Sequence, residues 1–307
     1  MVEVRVPCST SNLGAGFDCI GLAFQKYLTV RYTAGTAALR LARSGTLLHL
    51  RESPERDAVV LAMHSSLGPH HLTGSLEVHS DIPVGRGLGS SAAARIAGIA
   101  VAAAIRGQAR SRINDAAMLT LAMELEGHPD NAAPALLGGL VVVARDAANA
   151  PRAFQVPISP DIAFGFASPD TEVSTSEARA VLPQNIPHVR AALMLGRMGA
   201  LVRGLECADA DLIRLGFLDE LHMPYRLPLI PGGATAIEAA VECGAWGATI
   251  SGSGSGIIAV GPHERMKEIV AAMRGVFDRF ASAASSFVLV PDVLGLQTRT
   301  DPADPWS

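Results

Sequence analysis

The chain has 307 residues, 49% of them hydrophobic, with 25 Lys and Arg against 29 Asp and Glu. That length can bury a sizeable core as one large or two medium domains. A net charge of −4 disfavours a nucleic-acid footprint or a polybasic membrane patch, so a small-molecule partner is expected. Cys8, Cys19, Cys207 and Cys243 show neither zinc spacing nor a disulfide framework, so a reduced, cytoplasmic setting is expected.

Met1 to Val6 alternates like a strand and lacks the pattern of a signal peptide. Pro7 to Gly21, rich in Ser, Thr, Asn and Gly, reads as a loop; within it Asn12 and Asp18 offer an amide and a carboxylate suited to a hydroxyl or an amine. An Asx-rich turn is the competing reading of that loop. Leu22 to Val78 alternates enough to supply several strands and one helix near Asp57 to Ser66.

The most informative stretch is Pro83-Val84-Gly85-Arg86-Gly87-Leu88-Gly89-Ser90-Ser91-Ala92-Ala93. Three glycines let the backbone approach a phosphate, and the alanine-rich helix that follows presents unpaired N–H groups and the positive end of its dipole. The spacing is neither a dinucleotide fingerprint nor a Walker loop. Ser90 and Ser91 are placed to cap the helix, to reach a phosphate-bound Mg²⁺, or to divide those roles.

Helices are expected at Ser90 to Arg106, Ile113 to Leu125 and Asn131 to Leu137, followed by a strand at Leu140 to Ala144. Between them, Glu124 and Glu126 stand at a helix end before His128-Pro129-Asp130-Asn131. A carboxylate there is disfavoured by the dipole and asks for a compensating cation. The two acids lie roughly 200° apart around a helix, so only one faces a site.

Arg145 to Pro160 reads as a domain boundary or a long crossover. Beyond it, strands are expected at Ile162 to Ala167, Gly247 to Ser251 and Gly256 to Val260, with helices near Val189 to Gly204, Thr235 to Cys243 and Glu264 to Phe277. Without strict βα alternation, the fold class is α+β. Arg179 and Arg226 read singly as solvated surface arginines, but together they could grip a carboxylate. The glycine-rich Ser251 to Gly256 passes close either to a ligand or to another backbone.

In this order the segments resemble the GHMP kinase superfamily over essentially the whole chain. The resemblance rests on the cradle Pro83 to Ala93, the Ser11-Asn12-Leu13-Gly14 loop and Ser251 to Gly256. Within that superfamily the chain resembles the homoserine kinase family through His128-Pro129-Asp130-Asn131-x-Ala133-Pro134, Ser174-Thr175-x-Glu177-Ala178-Arg179 and Leu182-Pro183. The resemblance implies an N-terminal, ribosomal-protein-S5-like ATP-binding half over residues 1–155 and a ferredoxin-like half over 156–307. It also implies phosphorylation of the L-homoserine side-chain hydroxyl by ATP, with Mg²⁺, in a protein often dimeric in this family.

Carried onto this sequence, Pro83 to Ala93 would hold the phosphates, and Ser91 and Glu124 the Mg²⁺, with Glu126 the less favoured acid. Arg179 and Arg226 would bind the substrate carboxylate and Asp18 its ammonium. Asn12, His128 and Asn131 would line the reacting end, with Thr175 near the transferring phosphoryl. Many relatives in the superfamily have an aspartate base where this chain has Asn131, and an amide cannot take the proton. No dedicated aspartate base is therefore expected. Two departures from the homoserine kinase pattern are Ala132, where valine is usual, and Ser255-Gly256, in place of Pro-Ser.

Overall fold

Among the described residues two β-sheets carry the chain, and a cavity is lined by residues of both halves. The computed structural model describes residues 1–51, 53–68, 72–108, 114–281, 283–301, 303 and 306. The first half runs β1 (Val2–Ser11), β2 (Ile20–Ala38), β3 (Arg40–Gly45), α1 (Ala58–Leu67), β4 (Thr73–Ser80), α2 (Ser90–Ile105), α3 (Asp115–Glu126), α4 (Ala132–Leu137), β5 (Leu140–Arg145) and β6 (Pro151–Val156). The second runs β7 (Ala163–Pro169), α5 (Thr175–Ala180), α6 (His188–Cys207), α7 (Ala210–Gly216), α8 (Met223–Arg226), α9 (Gly233–Glu242), β8 (Gly247–Ile250), β9 (Ile257–Gly261), α10 (Met266–Phe277), β10 (Ala284–Leu289) and β11 (Gln297–Arg299).

The first sheet is ordered β11-β1-β2-β4-β3, with β5 pairing both β2 and β6. The second is antiparallel, ordered β10-β7-β9-β8. Strand–helix–strand–strand–helix–strand connectivity with that order is the ferredoxin-like arrangement. The chain then crosses back, and β11 pairs β1 through Glu3–Arg299 and Arg5–Gln297.

Periodicity explains the packing. On α10, Met266, Ile269, Val270, Met273, Val276 and Phe277 are buried at helical spacing against the second sheet, each large apolar side chain contributing about 1.5–3 kcal/mol. α2 is buried from Ala92 to Ala103 except at Arg95. It packs on α1 so closely that a Cβ at Gly98 would stand 2.7 Å from that of Ala62.

The structure departs from one expectation and adds detail to two others. β1 continues through Pro7 to Ser11, where a loop was expected, with a register shift between Pro7 and Cys8. β6 lies within Arg145 to Pro160, pairing β5 across a short turn; Pro151 is its first residue, a position where no ladder N–H is required. The helix expected from Ile113 is described from Asp115, Ile113 lying outside the described residues.

Candidate active site

A cavity of about 880 Å³ opens between the halves, reaching from the β2 and β4 side chains Leu28 and Val78, past the cradle, to Arg179 and Arg226. Pro83 to Ser91 line it, as does Ala94, whereas Ala92 and Ala93 face the core. Gly85, Gly87 and Gly89 all adopt positive φ, which makes the loop fold back on itself before α2 begins. At Gly87 the backbone also has no room for a side chain, because a Cβ would collide with the Ser251 carbonyl.

That collision marks where the glycine-rich turn of the second half locks onto the cradle. Ser251 donates to the Gly87 carbonyl at 2.7 Å and shares a 2.8 Å hydrogen bond with Thr10. The Gly252 N–H donates to the Ser11 carbonyl at 3.0 Å, and Asn12 Nδ2 to the Gly252 carbonyl at 3.0 Å. Ser251 to Gly256 therefore packs tightly against the first half, and its Gly252, Ser253 and Gly254 also line the cavity.

Asn131 lines the cavity with both ends of its amide engaged. Its Nδ2 donates to Ser11 Oγ at 2.8 Å, and its Oδ1 accepts from Ser9 Oγ at 3.1 Å. Next to it, His128 Nδ1 and Asp130 Oδ1 stand 2.6 Å apart, both residues buried. Burial alone would raise the Asp130 pKa, but the hydrogen bond and charge of His128 hold it below the usual carboxylate range. Thr175 begins α5, whose N-terminus is closed by a capping box between Ser174 and Glu177. Its hydroxyl lies 3.4 Å from that of Ser253.

At the far end, Arg226 is 1% exposed. Its Nε donates to the Ala178 carbonyl at 2.9 Å and its Nη1 to the Gly252 carbonyl at 3.4 Å. Among the described residues no carboxylate forms an ion pair with it. Burial, with Arg179 close by, pushes its pKa down to about 10, so it remains a cation at neutral pH. Arg179 instead pairs with Asp18 through two hydrogen bonds of 2.8 and 3.2 Å. Burial opposes the Arg179 charge, yet the Asp18 carboxylate raises its pKa. The Phe17 ring lies 4.9 Å from the Arg226 guanidinium and 5.9 Å from that of Arg179.

Sequence reasoning missed the brace behind Arg226. Asp219 accepts from the N–H groups of His222 and Met223 at 2.9 and 2.7 Å, setting the start of α8. The buried His222 ring stacks on Phe17 and makes a 3.1 Å hydrogen bond to the Asn12 carbonyl. One short segment thus fixes Arg226, Phe17 and Asn12 together.

The acid expected at the metal, Glu124, does not reach the cavity. It is exposed, whereas Glu126 lines the cavity. Ser91 Oγ donates to Glu126 Oε2 at 3.3 Å. Arg95, one turn after Ser91, donates to Ser91 Oγ at 2.8 Å and forms an ion pair with Glu126. A hydroxyl and a carboxylate converging beside the phosphate cradle are the hard oxygen donors Mg²⁺ takes, and a cationic group already lies against both. No cluster of three His, Cys, Asp or Glu exists among the described residues. This donor set fits a metal that shares its shell with phosphates and water.

The cradle, the interlocked halves and the two arginines define a small-molecule kinase site, and comparison with known proteins agrees. The chain matches the GHMP kinases N terminal domain over residues 56–139 and the GHMP kinases C terminal domain over 201–279. It is 36% identical to a homoserine kinase of Prochlorococcus marinus over 97% of this chain and 96% of that one. It is 37% identical to one of Synechococcus over 97% and 94%. The crystal structure of homoserine kinase from Cytophaga hutchinsonii superposes with a TM-score of 0.82 at 29% identity, covering 97% of each chain. An L. major mevalonate kinase shares the fold alone, at a TM-score of 0.67 and 16% identity over 94% and 95%. The chain belongs to the GHMP kinases. Within them it belongs to the homoserine kinase family.

Proposed function

We propose that this protein transfers the γ-phosphoryl group of ATP to the side-chain hydroxyl of L-homoserine, acting with Mg²⁺ in the cytoplasm. The observation that carries the substrate is the pairing at the far end of the cavity. Among the described residues Arg226 is a buried cation with no ion-paired carboxylate, beside an Asp18–Arg179 pair of opposite charges. A zwitterionic amino acid satisfies all three: its carboxylate takes the arginines, and its ammonium takes Asp18 once Arg179 turns to the carboxylate. Mevalonate, with a carboxylate but no ammonium, would leave Asp18 without its cation.

In this reading residues 1–155 hold the nucleotide and 156–307 close over the substrate. The N–H groups of the cradle and the start of α2 take the phosphates. Ser91 and Glu126 hold the Mg²⁺, which supplies charge neutralisation on the transferring phosphoryl group. Asn12, His128, Asn131 and Thr175 line the reacting end. Ser9 and Ser11 fix the Asn131 amide from both sides, so it positions the hydroxyl without taking its proton. A loose transition state gains most from such positioning, and the proton passes late to the phosphate itself.

The test of the whole reading is ADP release with MgATP against L-homoserine, L-threonine, shikimate, pantoate and mevalonate. Turnover selective for homoserine is expected; selective turnover of another alcohol would keep the kinase and overturn the substrate. The absence of a base gives a second expectation. Asn131→Asp loses the donor to Ser11 and adds negative charge beside the phosphates, so kcat falls about tenfold or more. A rise in kcat would show that a base was what the site lacked.

A further inference from the structure

Along α2, from Ser90 to Ile105, Arg95 is the one charged residue, and the helix around it is buried. A charge on such a face must find a partner or reach water. Arg95 does not extend away from the protein. It turns one helical turn back toward Ser91 and meets Glu126, the last residue of α3, whose side chain is only 11% exposed. Glu126 carries its charge at a helix C-terminus, where the dipole opposes it. Arg95 is the cation that offsets this.

The same guanidinium contacts both protein oxygens read above as metal ligands. Its Nη1 is 2.8 Å from Ser91 Oγ, and those two oxygens are themselves 3.3 Å apart. A divalent ion needs the Ser91 lone pairs and the Glu126 oxygen directed at itself. An N–H donor using both at once competes for them. We propose that Arg95 is the metal's internal competitor: its guanidinium holds the Ser91–Glu126 pair in the free protein and leaves it when a divalent cation is seated there. Metal binding then includes the cost of displacing Arg95. Glu126 passes from one cation to the other without being left unpaired beside the nucleotide phosphates.

The inference rests on the reading of Ser91 and Glu126 as metal ligands, and the experiment separates the two. Mn²⁺ binding to the full-length protein is measured by electron paramagnetic resonance, without nucleotide and with ADP, for wild type, Arg95→Met, Arg95→Lys and Glu126→Gln. Thermal midpoints are recorded with and without Mn²⁺. Arg95→Met keeps the length of the stem and removes the charge, so Mn²⁺ binding tightens on the order of tenfold. Its thermal midpoint falls without metal and recovers with Mn²⁺ more than that of wild type does, because Glu126 has lost its cation. Arg95→Lys loses only the fork and shifts Mn²⁺ binding in the same direction by a smaller factor, which keeps the test open if the methionine variant folds poorly.

If Glu126→Gln loses Mn²⁺ binding while the Arg95 variants bind it equally or more weakly than wild type, the competitor is overturned and the metal site stands. If Glu126→Gln binds Mn²⁺ as wild type does, the ligand assignment itself fails, and the competitor with it.

Discussion

Arg226→Ala is expected to lower kcat/KM for homoserine about a thousandfold, mainly through a higher KM for homoserine, with the KM for ATP within about twofold of wild type. The size follows from the environment. A charge-assisted contact from a buried guanidinium to a carboxylate, in a site screened from water, is worth several times what it would be at the surface. Arg226 stands at 1% exposure with two backbone carbonyls as its partners. In the alanine variant the Ala178 carbonyl loses the Arg226 donor while the Gly252 carbonyl keeps Asn12 Nδ2, so a stability loss of about 1–3 kcal/mol accompanies the kinetic effect. Arg226→Lys retains the charge but not the planar fork, and a loss of at least about tenfold is expected. Steady-state kinetics with each substrate varied in turn separate the effects. An equal rise in both KM values would place Arg226 in the general integrity of the cleft and remove it from the carboxylate.

Much of this site was legible because its residues carry unusual local chemistry. Three glycines in five positions ahead of an alanine-rich helix announce a cradle, and the observed positive φ at Gly85, Gly87 and Gly89 is what that spacing serves. The ends of most helices and strands after Pro83 were readable from period and caps. Pro7 to Ser11 was misread for a specific reason. Its Ser9, Thr10 and Ser11 are fully buried in β1, and a buried polar strand looks like a loop until its partners are known. Those partners, Asn131 and Ser251, come from distant segments.

Long-range pairing is also what hid the Asp18–Arg179 contact, made across 161 residues. The resemblance assigns Arg179 to the carboxylate and Asp18 to the ammonium of the substrate, two groups on one carbon, and that assignment does not conflict with the contact. Without the zwitterion, two complementary charges in one cleft satisfy each other. Arg95 was silent for a different reason: one arginine in a helix has no signature, and only the packing of α3 against α2 brings Glu126 to it. The helix dipole calls for a cation at that helix end, and the sequence alone does not name it.

Between Glu124 and Glu126, the sequence establishes that only one acid faces the site, but not which, because helical spacing is blind to the rotation of α3 about its own axis. That rotation is set by burial of Met118, Leu119 and Ala122. It turns Glu124 to solvent and Glu126 to Ser91. Glu126→Gln should therefore lower kcat by about a hundredfold to a thousandfold and move half-maximal activation to much higher Mg²⁺, since the amide is a poorer ligand and carries no charge toward the phosphates. Glu124→Gln should stay within about twofold on both readouts, as an exposed substitution away from the cavity. Mg²⁺ titrations of kcat at saturating ATP distinguish them. The reverse pattern, with Glu124→Gln crippled and Glu126→Gln intact, would mean that α3 is rotated in the working enzyme and that the Arg95–Glu126 pair has no part in metal binding.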